Sequence, residues 1–369
     1  MKILHLSHQS LPDKRVERAA FTGVKHGHKC FFVGLPPIDT RSLIADNLFE
    51  DTFSVPWTWK NKLHLPYFWG KPKKRFKHIL KTVDPAIVHA HDVFAAKLCH
   101  EMNIPFVFDS HELWSPKASL KVVKKGRESL LLKRLVSTKY GLSLWGRWQK
   151  QIVKDAPTIT VSQTIADELK EEGGKKVFWV PNFPLTKEIA AIKFQKKYEG
   201  FSCVYVGDDL STNSPHRNVT YLLDVFYNIN GTLTVIGDEG FTSRSPKIKS
   251  LGFLPHNEMM NELTTYHVGL LPWVRHPYHY YCLPNKPIEY AHAGLPTVVT
   301  SSLKNIIDVL TRKYCVTFDG SPTALRRVLS ELKKSWDAAW SEEIVAYSKE
   351  NLIWEKHEQK ILEAYSMVL

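Results

Sequence analysis

The chain has 369 residues, of which 43% are hydrophobic and 24% charged, and its formal net charge is +13. This length exceeds what one hydrophobic core usually serves, so two domains are expected, and the composition excludes long disordered tails. The start, MKILHLSHQS, is too short an apolar run for a secretory signal, no window reaches the roughly 18 apolar residues of a membrane span, and Cys30, Cys99, Cys203, Cys282 and Cys315 lack zinc-site or disulfide spacing.

The first half alternates short β-rich runs with helical pattern. KILHLS (2–7) is an apolar strand, a polar-faced helix runs from about Asp13 to Lys25, Gly27 stops it, and KCFFVGL is the next strand. AIVHAH (86–91), PFVFDS (105–110) and TITVS (158–162) follow, each trailed by helix-like sequence. Such alternation implies parallel βαβ units. After VPNFP (180–184) a polar, Lys-rich stretch reads as a linker over 185–199. The alternation restarts with SCVYVGD (202–208), a helix near 219–229, TLTVIGD (232–238), IKSLGF (248–253), a helix near 256–265, VGLLPW (268–273), a helix near 286–293 and PTVVTS (296–301). The expected fold is therefore α/β, with Rossmann-like domains at 1–184 and 200–343 and a closing helix in 344–369 that packs back towards the first domain. In open parallel sheets ligands bind beyond the carboxyl ends of the strands, so chemistry is sought in the loops that follow them.

Charge is unevenly spread. Residues 57–81 carry eight Lys or Arg and no acid, and residues 119–154 carry ten against Glu128 alone, so these two segments hold more than the whole positive excess. They interleave Trp57, Trp59, Tyr67, Phe68, Trp69, Trp145 and Trp148, and the second adds Leu130, Leu131, Leu132 and Leu135. Basic amphipathic sequence with Trp suits an anionic membrane surface, although a solvated basic face over an aromatic core explains the same pattern. No nucleic-acid motif accompanies the charge. A cytoplasmic protein, peripheral on the inner face of the membrane, is the expectation.

The most informative segment is CLPNKPIEYAHAGLPTVVTS, Cys282 to Ser301. Asn285 suits an N-cap, Pro287 the first turn, and Gly294 with Pro296 the end of a helix. The free N–H groups of that helix start form an anion site, to which Lys286 adds a charge, and Glu289 lies one turn on, where a carboxylate can accept two ribose hydroxyls. The same spacing also fits an ordinary surface helix with a Lys286–Glu289 pair.

The string P-N-K-x-x-E-Y-x-x-A-G-x-P resembles the donor-binding helix of the retaining glycosyltransferases of family 4, which have the GT-B fold of two Rossmann-like domains facing a central cleft. The resemblance extends through VGDDLSTNSPHRNVTYLLDVF, LTVIGDEG, IKSLGFLPHNEMMNEL and VGLLPW, and in the first half through DKRVERA (13–19), VHAHD and DSHELW. It implies that Glu289 binds the donor ribose, that Gly207, Arg217, Gly237, Asn285 and Lys286 surround the nucleotide diphosphate, and that His111 faces the donor sugar. His111, Arg217 and Lys286 are then the catalytic candidates, with Asp92 and Glu112 near His111. Two departures stand out: Tyr281 replaces the family Glu eight positions before Glu289, and Asp208 replaces the usual Arg. Asp208 and Asp209 read as turn residues rather than a metal pair.

The resemblance thus implies a UDP- or GDP-sugar donor, a glycan or lipid-linked acceptor in envelope polysaccharide or glycolipid synthesis, and no metal. A nucleotide-sugar epimerase, a phosphorylase or a non-catalytic nucleotide-sugar-binding subunit would share the same donor features. A dehydrogenase is disfavoured, because no GxGxxG follows the first strand.

Overall fold

The computed structural model describes all residues except 41–43, 58–65, 115–140, 208–209, 211–214 and 244, and omits the side chains of 66–68, 141–142 and 215 as well. The described residues form two compact α/β units, one made of 1–114, 141–182 and 354–369, the other of 183–353.

The first unit has a seven-stranded parallel sheet: β1 (Lys2–Ser7), β2 (Lys29–Gly34), β3 (Thr52–Ser54), β4 (Ile87–His91), β5 (Phe106–Ser110), β6 (Thr158–Thr160) and β7 (Val177–Trp179), in the order β3-β2-β1-β4-β5-β6-β7. Its central strands are buried on both faces, as helices on either side of a parallel sheet require. Helix Lys14–Lys25 follows β1 and is capped by Asp13, whose carboxylate accepts from the N–H groups of Arg15 and Val16. Helix Pro66–Val83 buries Trp69, Phe76, Ile79 and Val83, the spacing of one helical face, and exposes Lys71, Lys74, Arg75 and His78.

This packing corrects the interfacial role expected of the tryptophans. Trp57, Trp69 and Trp148 are buried in the core, Trp145 packs against it, and Trp57 and Trp148 both make edge contacts with Trp69. An indole already buried against core side chains gains nothing from a lipid interface, so these four tryptophans do not supply the expected one. Trp59, Leu130, Leu131, Leu132 and Leu135 lie outside the described residues, as do the side chains of Tyr67 and Phe68.

The first unit is completed from far along the chain. Trp354, fully buried, donates its indole N–H to Thr22 at 2.8 Å. In the closing helix Glu358–Ser366, Glu358 pairs with Lys25 at 2.6 Å, and the Tyr365 hydroxyl meets His89 Nδ1 at 2.7 Å. The return begins at Trp354 instead of 344, because helix Ala338–Asn351 belongs to the second unit, where Ser341 bonds to the carbonyl of Gly294.

The second unit has a six-stranded parallel sheet: β8 (Ser202–Val206), β9 (Thr232–Ile236), β10 (Ile248–Ser250), β11 (Val268–Leu271), β12 (Thr297–Thr300) and β13 (Cys315–Phe318), ordered β10-β9-β8-β11-β12-β13. The stretch expected as a linker groups with this unit and holds a short helix, Thr186–Ile189. Helix Asn285–His292 is fixed to the strand ends by Tyr290, whose buried hydroxyl accepts the Val206 N–H at 2.9 Å and donates to the Leu270 carbonyl at 3.2 Å. The ring occupies the space beside Gly269, where a Cβ would come within 2.4 Å of it.

Tyr290→Phe keeps the ring but leaves a buried N–H unpaired, at a cost of about 1–3 kcal/mol. Urea unfolding is expected to show that loss with an unchanged m-value.

Candidate functional site

Both sheets reverse their strand order at one place, between β1 and β4 in the first unit and between β8 and β11 in the second. Ligand crevices of open α/β sheets form at such points. The chemistry-bearing side chains of each unit gather there.

In the first unit register places them. His5 of β1 lies opposite His89 of β4, and His91 lies opposite Asp109 of β5, so all four share one face of the sheet. The His89 and His91 rings stack 4.3 Å apart and 8° from parallel, with His5 stacked on both. Asp109 is fully buried and is clamped by Arg15, whose Nε reaches both carboxylate oxygens at 2.9 Å while Nη2 reaches Oδ1 at 2.7 Å. Arg15 also donates to the Val180 carbonyl at 2.9 Å. Around the same carboxylate Oδ2 stand His89 at 3.4 Å, His91 at 3.4 Å and His111 at 3.7 Å.

These groups share few protons. Burial alone would raise the Asp109 carboxyl, but the charge of Arg15 and the nearby His111 hold it well below the usual carboxylate range. Burial pushes His5, His89 and His91 down, His91 to about 3, so the stack is neutral. His111 moves the other way: burial lowers it, and the Asp109 charge and hydrogen bond more than reverse that. Its side chain is 22% exposed, unlike the three rings behind it.

Two sets of atoms come close enough for a metal ion, His5 with His89 and His91, and His91 with Asp109 and His111. Neither arrangement suits one. Near-parallel rings cannot aim their in-plane lone pairs at a common point, and the Asp109 carboxylate is already neutralised by Arg15, whose fixed charge opposes a second cation.

Of the neighbouring acids, Asp92 is taken up structurally: its carboxylate accepts from the Val93 N–H and from the Trp114 indole at 2.9 Å. Glu112 is exposed, and its carbonyl accepts from Ser110 and Gln149.

In the second unit Arg217 ends a 3-10 turn after β8 and is exposed, its guanidinium 4.9 Å from the Trp273 ring just beyond β11. Beneath it His216, His276 and His279 form a triangle of rings 5.3–5.8 Å apart. Burial, helped by the neighbouring imidazoles and the Arg217 charge, lowers His216 to about 4 and His279 to about 3, so this cluster too is neutral. The cap of helix Asn285–His292 is Pro284, with no side-chain cap bond, which corrects the expected Asn285 cap: Asn285 is the first helical residue and is exposed. The loop before it is held by Asn305, which donates to the carbonyls of Tyr280 and Cys282. Lys286 is half-buried on the first turn, and Glu289, half-buried too, lies one turn on. No bond joins Lys286 to Arg217 among the described residues.

The glycines have local reasons to be glycine. Gly207 and Gly237 give their N–H groups to the carbonyls of Ile236 and Gly252, a Cβ on Gly207 would strike the Tyr205 ring, and Gly237 sits at φ +106°. Asp208 and Asp209 lie outside the described residues.

Sequence reasoning missed Arg15, Asp109 and Tyr290, although each stands inside a string that it singled out. The available signal was a charged residue at an inward strand position: Asp109 falls within the apolar run FVFDS.

Because His5, His89 and His91 are depressed in the folded protein, the unfolded chain binds more protons below its imidazole value of about 6.5. Their contribution is complete above that value and is lost as pH falls, while the raised His111 works in the opposite sense. Thermal unfolding is therefore expected to show a lower midpoint at pH 5 than at pH 7. A midpoint that climbs on acidification would contradict the neutral stack.

Comparison with known proteins follows the same lines. Residues 22–183 match the family model described as Glycosyltransferase Family 4. No curated protein sequence matches the chain. Among solved structures, sucrose-phosphate synthase from Thermosynechococcus elongatus is similar at 13% identity and TM-score 0.72, over 100% of this chain and 99% of that one. The Anabaena protein HepE, solved in complex with UDP, is similar at 12% identity and TM-score 0.70, over 100% of both chains. A glycosyltransferase from Rickettsia africae is similar at 13% identity and TM-score 0.68, over 100% of this chain and 98% of that one. At such identities the likeness is one of fold, and the fold is the α/β architecture with two parallel sheets known as GT-B. Residues 22–183 are therefore similar to the glycosyltransferase family 4 model, and the chain as a whole has the GT-B fold.

Proposed function

We propose that the protein moves a glycosyl group from a nucleotide-diphosphate sugar to a glycan or lipid-linked acceptor, with retention at the anomeric carbon, in envelope polysaccharide or glycolipid synthesis. The observation that carries this reading is the first turn of helix Asn285–His292. Lys286 stands there half-buried and Glu289, also half-buried, lies one turn on, on a helix that Tyr290 holds against the ends of β8 and β11. A cation and a carboxylate near a helix start suit a diphosphate and a ribose.

In this reading Glu289 accepts the ribose hydroxyls, and the first-turn N–H groups with Asn285 and Lys286 take the diphosphate. Arg217, braced on Trp273, adds the second cation, and Gly207 and Gly237 let the nucleotide approach the backbone. Charge on the departing diphosphate is the main thing to be stabilised, and fixed cations supply that without a metal. In the first unit His111 is the candidate catalytic group. A UDP-sugar is the first donor to try, since HepE was solved with UDP.

An open groove of about 620 Å³ along helix Pro66–Val83, lined by Lys71, Lys74, Arg75 and His78 with Ser54 and Pro56, suits a phosphate-bearing acceptor. Among the described residues a peripheral position on an anionic membrane is supported by this charge, since Trp57, Trp69 and Trp148 are buried. No described helix is long and apolar enough to cross a membrane.

A thermal-shift screen with UDP-, GDP-, dTDP- and ADP-sugars tests the reading: a true donor raises the midpoint with concentration, and silence from all four would sink it. In calorimetry Glu289→Ala is expected to lose about 1.5–3 kcal/mol of UDP affinity, roughly 10- to 150-fold. Unchanged affinity would remove Glu289 from the site.

For the two cations the expectation is kinetic. Arg217→Ala and Lys286→Ala should each lower kcat more than they raise the donor KM, with Lys286→Ala the milder because the helix start still presents its N–H groups. Near-normal kcat in both would place the diphosphate elsewhere.

A further inference from the structure

We propose that Asp238 is the positioning residue of Arg217: its carboxylate pins the turn after β8 and so sets where that guanidinium stands. The proposal rests on the reading of Arg217 as a diphosphate-binding cation and adds what holds it in place.

A run of hydrogen bonds crosses the carboxyl ends of three neighbouring strands. After β10, Ser250 Oγ accepts from the Gly252 N–H at 3.1 Å and donates to the Asp238 carbonyl at 3.1 Å, while the Gly237 N–H donates to the Gly252 carbonyl at 2.7 Å. The turn after β9 is therefore fixed to the turn after β10. Asp238 carries that fixation on to β8. Its Oδ1 accepts from the Gly240 N–H at 3.1 Å, within its own turn, and its Oδ2 accepts from the Leu210 N–H at 3.0 Å, 28 residues away. The Leu210 carbonyl in turn accepts from the Val219 N–H at 2.9 Å, two residues beyond Arg217. Leu210 and Val219 are both buried in the core. Among the described residues the exposed Arg217 side chain makes no hydrogen bond and rests only on the Trp273 ring at 4.9 Å, so the backbone it stands on decides its place.

A carboxylate is what this junction needs. Two oxygens on one short side chain each accept an N–H from a different turn, whereas an amide has one oxygen and would turn a donor towards the second N–H. Asp238 is 9% exposed, and among the described residues no cation pairs with it, so its charge is met by those two N–H groups. A carboxylate also repels an anion bound at the same strand ends, so by charge alone it weakens diphosphate binding. Position and charge therefore predict opposite effects of removing it.

The test is calorimetry with UDP on the whole protein, in a double-mutant cycle of Asp238→Ala and Arg217→Ala. Asp238→Ala should weaken UDP binding roughly 3- to 10-fold in the wild-type background, and by less than about twofold once Arg217 is gone. Equal losses in both backgrounds would make Asp238 a general structural support and overturn the proposal. Asp238→Asn keeps one acceptor oxygen without the charge, so it should also weaken UDP, by less than Asp238→Ala, and it takes the place of Asp238→Ala in the cycle if that variant does not fold. Tighter UDP binding in Asp238→Asn would show a role of charge alone and refute the pin. Hydrogen exchange supplies an arm that needs no ligand: the Leu210 and Val219 amides should be protected in the wild type and lose that protection together in Asp238→Ala. A Leu210 amide that exchanges freely in the wild type overturns the proposal whatever the variants do. If Arg217→Ala leaves UDP affinity unchanged, the diphosphate reading fails at Arg217, while amide exchange still decides whether Asp238 holds the turn.

Discussion

Much of the first unit depends on one buried ion pair. Arg15 and Asp109 come from a helix and a strand 94 residues apart, and neither meets solvent appreciably. Burying a carboxylate and a guanidinium is costly unless geometry and extra hydrogen bonds offset it, and removing one partner of such a pair typically costs about 3–5 kcal/mol. Here the offset is complete: both carboxylate oxygens are engaged, and Arg15 spends a further N–H on the Val180 carbonyl. The pair thereby locks helix Lys14–Lys25, β5 and the segment after β7 into one arrangement. The histidine cluster could not be held at fixed spacing without that carboxylate at its centre.

The second unit solves the corresponding problem without charge. A phenol hydroxyl, Tyr290, bridges the backbones at the ends of β8 and β11 and sets the height of the helix that starts at Asn285. Beside it, three neutral imidazoles and Trp273 carry the one exposed guanidinium of the turn after β8. Strand order and parallel connection place both devices at the reversal point of their sheets. One fold rule therefore yields a charged crevice in one unit and a neutral one with a cationic rim in the other.

Most strands and the two-unit organisation were legible because parallel strands buried on both faces write themselves as short apolar runs such as KILHLS and SCVYVGD. β3, β7 and β13 were not: the first two are three-residue strands, and β13 follows helix Lys304–Tyr314 without a break. The Asn285 cap was misread because cap preference is local: Pro284 already holds the extended conformation that a cap needs, and Asn285 is drawn into the helix. The tryptophans misled for a different reason. A basic helix and a Trp-rich core face are superposed in residues 66–83, and composition cannot separate two faces of one helix when the aromatic side is also the buried one. The strings DKRVERA and DSHELW were recognised as a pattern, yet that Arg15 and Asp109 touch is a property of the packed sheet and is written in neither string alone.

The chain return at Trp354 has a consequence for synthesis. The indole of Trp354 fills a fully buried position against Thr22 and lies 5.8 Å from the Arg15 guanidinium, while Tyr365 supplies the hydroxyl that His89 faces. On the ribosome, the unit begun first therefore waits with an open side until the whole of 183–353 has been made. The usual order, in which the amino-terminal domain finishes folding before the next emerges, is reversed here: the second unit can close on its own residues while the first still exposes its histidine face to water.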